Sequence, residues 1–118
     1  MATYSKQILS GSTSGRPIEV VATSSPGTTI HTVVASATAD KEAHHLYAIN
    51  SATTDRILSL EFGGTSTIDL LEMLITAQDG PILVSPGWPL TGTDQITRAF
   101  ATATGGLAMG GFANRIVA

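Results

Sequence analysis

Arg56-Ile57-Leu58-Ser59-Leu60-Glu61-Phe62, followed at once by Gly63 and Gly64, alternates residue by residue. Leu58, Leu60 and Phe62 point one way, and Ile57, Ser59 and Glu61 the other, which is the period of a strand with one buried face. Working outward, similar β-prone runs recur with turn signals at short, regular intervals. Upstream lie TTIHTVVA (28–35), bounded by SSPG and by the charged turn TADKE (38–42), and AHHLYAIN (43–50), closed by SATTD. Downstream lie STIDLLEMLIT (66–76), GPILVSPGWPLTG (80–92), DQITRAFATA (94–103) and GLAMGGFANRIV (106–117). Seven strands are therefore expected from Thr28 onward, and IEVVA (18–22) supplies an eighth. An open sheet that wide would leave long edges unpaired, so the expected fold is all-β: two packed antiparallel sheets in a jelly-roll-like β-sandwich spanning residues 28–118.

Three segments carry particular expectations. STIDLLEMLIT fits a helix through Ile68, Leu71 and Ile75, but it also alternates, and its position between strands favours β. Pro86 and Pro89 cannot donate to a sheet ladder, so Pro86-Gly87-Trp88-Pro89 is expected to be a turn after the strand. Gly105, Gly106, Gly110 and Gly111 flank Leu107 and Met109 where another backbone can come close, and a neighbouring subunit is one candidate for it. Residues 1–27 read as an N-terminal arm with one or two short strands and a joint at GSTSGRP (11–17). The arm either reaches a neighbouring molecule or is a frayed terminus or an ordinary edge strand.

Only 13% of the 118 residues are charged, half the share usual in a soluble domain, for a net charge of −3. A surface so thinly charged is the surface of a protein covered by neighbours. The six basic residues, Lys6, Arg16, Lys41, Arg56, Arg98 and Arg115, are spread along the chain, which argues against nucleic acid as a partner, since phosphate binding needs clustered cations. No apolar run approaches the 18 residues of a membrane span, and MATYSKQILSGS has no signal-peptide stretch, so synthesis in the cytoplasm is expected. Without cysteine, disulfides and thiolate chemistry are excluded.

Little here points to catalysis. There is no GxSxG, HExxH, GxxxxGK[ST] or GxGxxG motif. Asp69 and Glu72 are offset by three, which on a strand sends them to opposite faces rather than into a glycosidase pair. The remaining arrangement is His31 with His44 or His45, joined by Asp40 or Glu42 in a metal site; the alternative is surface or hydrogen-bonded strand histidines. The chain does not read as an enzyme, and no cofactor is expected. Trp88 in its proline-flanked loop is an interface anchor, a sugar-stacking residue, or a plug for the open end of the sandwich.

The ordered phrases GRPIEVVATSSPGTTIHTV, LYAINSATTDRILSLEFGGTS, ITAQDGPILVSPGWPLTG, ITRAFATATGG and GFANRIV together resemble a family of small structural proteins of tailed bacteriophages, over about Gly15 to Val117. The resemblance implies a virion component on the capsid surface, a cement or decoration protein. It also implies a homotrimer seated on the major capsid protein, with the arm's contact sought at Tyr4, Lys6 and Gln7; the loop reading of Trp88 adds Pro86, Trp88 and Pro89 as interface candidates. A tail- or fibre-associated β-module that binds glycan through Trp88 is the alternative, and a metal-dependent hydrolase the remote one.

Overall fold

The computed structural model describes residues 3–34 and 40–117. Nine strands make up two sheets, with no α-helix among the described residues. In the first sheet, β9 (Leu107–Val117) lies beside β4 (Lys41–Asn50), and β4 beside β7 (Ile82–Leu90) at the edge. The other side of β9 is shared by β1 (Thr3–Ile8) and the short β2 (Ile18–Glu19). The second sheet runs β3 (Thr28–Val34), β8 (Thr93–Ala101), β5 (Arg56–Glu61), β6 (Leu70–Ile75). The pairing nests: β5 with β6, β4 with β7, β3 with β8 and β2 with β9, all antiparallel, with successive pairs alternating between the sheets. The folded chain exposes 6089 Å², close to the roughly 6,000 Å² its size calls for.

The core is the alternation made solid. Leu46 and Ala48 of β4, Leu107 and Met109 of β9 and Val84 of β7 meet Ile30, Leu58, Leu60, Ile75, Ala99 and Ala101 of the facing sheet. Leu71, Met73 and Phe62 pack against them, so the strand reading of 70–75 holds, preceded by a single 3-10 turn at Thr67–Asp69. Asp69 belongs to that turn, where its carboxylate accepts from the amide and hydroxyl of Ser66. The arm takes part in the same body: β1 pairs along β9 from Thr3↔Val117 to Ile8↔Phe112, and Leu9, Ile18 and Val20 enter the core. The turn expected at 38–42 lies partly outside the described residues.

Three expectations are corrected. Ser59 and Glu61 of β5 are buried as well as Leu58 and Leu60, and the crossing segment at 25–27 covers Glu61: Ser25 Oγ and the Gly27 amide donate to its carboxylate at 2.5 and 2.7 Å. Pro86-Gly87-Trp88-Pro89 is not a turn but the end of β7, an edge strand where prolines cost few ladder bonds, with the register slipping between His44 and His45. The close approach that the glycine pair permits is internal: Gly110 lies under the Tyr47 phenol, and Gly111 lies against the His45 carbonyl of β4.

Candidate functional site

At one end of the sandwich the apolar filling gives way to polar side chains. Glu42, His44 and Leu46 succeed one another on the inner face of β4, and Glu42 faces Arg115 across the β4–β9 ladder. His31 projects inward from the opposite sheet, so His31 and His44 meet across the interior rather than on adjacent strands, and both are buried. Their rings stand edge-to-face at 5.3 Å. His45 points outward and stacks on Phe112 at 4.8 Å.

Each of these groups has a fixed role in the hydrogen bonding. The Ser10 amide donates to His31 Nδ1 at 3.0 Å, which leaves Nε2 as the protonated nitrogen, donating to Glu42 Oε1 at 2.6 Å. Glu42 Oε2 accepts from the Val34 amide at 3.0 Å and from Arg115 Nε at 3.1 Å. Burial alone would raise the Glu42 pKa, but the hydrogen bonds from His31, Val34 and Arg115 outweigh it and hold the carboxyl below its ordinary range. His44 donates Nδ1–H to the Trp88 carbonyl at 3.2 Å, while its Nε2 is buried without a partner. Burial pushes the His44 pKa down, keeping the ring neutral. Phe62 closes over His44 at 5.2 Å and Trp88 over Phe62 at 5.9 Å, both edge-to-face.

This geometry braces the two sheets. Both His31 nitrogens are engaged, and among the described residues no group of three or more His, Cys, Asp or Glu side chains is placed to hold a metal ion. The cleft of about 310 Å³ lined by Gly11, Ser12, Thr13, Arg16 and Glu19 shares no residue with the cluster. Trp88 is on the Phe62 side of its strand, 40% exposed, capping the end of the sandwich rather than standing free.

No family model, curated protein or solved structure matches the chain. The reading therefore rests on its own surfaces. Tyr4 and Lys6 lie with Ile8 on the outer face of the first sheet, since cross-strand partners share a face and Lys6 Nζ sits 4.4 Å over the outward Phe112 ring. Pro86 and Pro89 pair with outward His45 and Ala43 on that face. Gln7 is on the other face of β1, bonded to Ser5. Sequence reasoning missed Glu42 as the centre of the inner cluster and Leu83, Tyr47 and Phe112 as members of the outer face. The clue was there in each case: alternation puts Glu42 in phase with buried Leu46, and Leu83 in phase with Pro81 rather than Val84.

A pH dependence follows from His44. The unfolded chain takes up a proton on this ring near pH 6.5, whereas the fold keeps it neutral, so its contribution is whole above about pH 6.5 and is lost as pH falls towards the lower folded pKa. The melting temperature should drop between pH 7 and pH 5, and His44→Leu should flatten that part of the profile. An unchanged slope in the variant would remove His44 as its source.

Proposed function

We propose that this chain is a structural subunit that works by being covered, a cement or decoration protein of a phage capsid. The observation that carries the reading is the apolar surface: among the described residues ten large hydrophobic side chains, including Tyr4, Ile8, Ile57, Ile68, Leu74 and Leu83, stand 39 to 91% exposed. With 13% charged residues, there is little polar surface to offset them. Isolated exposed leucines are ordinary, but here Tyr4, Ile8 and Leu83 share the outward side of one sheet, Ile57 and Leu74 that of the other, and Ile68 crowns the 3-10 turn. We read the nested pairing of β2–β9 as a jelly roll, a fold used in viral capsid domains; that support is by fold analogy alone.

In this reading the subunit associates with copies of itself and with the major capsid protein. Purified protein added to particles that lack it should sediment with them in many copies, and electron microscopy should place added density over the whole outer shell. Density confined to the tail vertex would move the protein to a tail role; absence from particles would end the proposal. Ile68→Asp changes only a 91% exposed side chain, so it should weaken attachment about tenfold or more if that knob meets the shell, with the melting temperature unchanged.

A further inference from the structure

We propose that the outer face of the first sheet is a self-complementary surface that pairs with the same face of a second copy about a two-fold axis. Register assigns its members. Tyr4, Lys6 and Ile8 of β1 pair with Ile116, Asn114 and Phe112 of β9; these pair in turn with Lys41, Ala43 and His45 of β4. Tyr47 and Leu83 continue the face across the β4–β7 ladder. Tyr4, Ile8 and Leu83 are 65, 61 and 64% exposed, and the other sheet cannot cover this side because it packs on the opposite one.

Size and charge both select a second copy. Four strands about 4.8 Å apart and a ten-residue β4 rising about 3.3 Å per residue give a face of roughly 19 by 33 Å, about 600 Å² in projection. Side-chain relief brings its accessible area towards the roughly 800 Å² per partner of a stable interface. The charges on the face are segregated along β9. Lys41 sits at one end, level with Ile116, and Glu19 at the other, level with Ala108, while the Lys6 ammonium lies over the Phe112 ring between them. Eight residues of β9 separate the levels of Lys41 and Glu19, about 26 Å. Turned through a two-fold axis near Phe112, the lysine end of each copy lies over Glu19 of the other, with the apolar residues between them. Arg16 shares a cleft with Glu19 but forms no ion pair with it, so the carboxylate is open to a partner's lysine. A face that meets itself is isologous, which a closed three-fold ring does not provide, so this contact differs from the trimer implied by the sequence resemblance.

The inference rests on the assembly reading for its purpose, but it is measured on the isolated protein, whereas attachment is measured on particles, so either can fail alone. Light scattering and sedimentation of the purified chain should give the mass of a dimer. Leu83→Asp should weaken it at least about tenfold, because a charge would replace an exposed apolar side chain where the two faces meet. Lys41→Glu should weaken it about tenfold, Glu19→Lys should also weaken it, and the two together should restore it, because two-fold pairing swaps both ends at once. Circular dichroism and melting of each variant verify folding; the charge reversals lie outside the core. A monomer at about 100 µM, a trimer mass, dimers indifferent to Leu83→Asp, or a double charge-swap variant no better than its parents would each overturn the proposal.

Discussion

Gly111→Ala should unfold this protein or lower its melting temperature by more than about 15 °C. Gly111 is on β9 opposite Leu46, in the centre of the first sheet, with φ at +135°, a conformation that side chains rarely adopt. A β-carbon there would lie 1.9 Å from the His45 carbonyl oxygen and 2.9 Å from its carbon. Those atoms are backbone of β4, pinned by the longest ladder in the fold, so they cannot swing aside as a side chain would. Relief requires breaking the β4–β9 register, and a cost above about 4 kcal/mol follows, a large fraction of the 5 to 15 kcal/mol that holds a domain together. Gly80→Ala is the control. Gly80 has a left-handed φ of +78° with nothing within 4 Å, so it carries the strain without the collision and should cost only about 1 to 2 kcal/mol. Urea unfolding of the two variants measures the difference. If Gly111→Ala is no worse than Gly80→Ala, the pairing of β9 with β4 is not as described.

The same residue shows where the sequence was readable. That a glycine pair between Met109 and Phe112 marks a close approach follows from chemistry alone, and the strands on either side follow from alternation. Which backbone approaches depends on a pairing between residues 46 and 111, and no local pattern reports a partner that far along the chain. The seven runs from Thr28 were legible because each has its own period-2 signal and its own turn residues. Pro86-Gly87-Trp88-Pro89 misled because proline forbids a central strand but not an edge, and edge position is a property of the sheet. The inner cluster was half legible. His31, His44 and Glu42 could be gathered as a group, but whether such a group binds a metal or braces two sheets is decided by what occupies each nitrogen, and the Ser10 and Val34 amides come from backbone that sequence does not place.

Removing that brace is the second large effect expected. Glu42 is fully buried, and its carboxylate is the acceptor for His31 Nε2–H, the Val34 amide and Arg115 Nε. Glu42→Ala strands these donors at once. Arg115 and the Val34 amide, both part-exposed, can turn to water, but the buried His31 ring cannot, and the cost of removing the buried acceptor that the three share is about 3 to 5 kcal/mol. For a chain of this length that lowers the melting temperature by roughly 12 to 20 °C. Glu42→Gln keeps the shape and one acceptor oxygen, so it should cost distinctly less and, unlike the wild type, should not respond to acid through this position. The sign follows from the depressed pKa: the carboxylate's contribution is whole above the ordinary carboxylate range, near pH 4 to 4.5, and is lost as pH falls through the lower folded value. Wild type and Glu42→Gln should therefore converge in stability in strong acid and reach their full separation above about pH 4.5. A constant gap between them at every pH, or a Glu42→Ala cost below about 1 kcal/mol, would mean that the charge between the sheets does not hold this end of the sandwich closed.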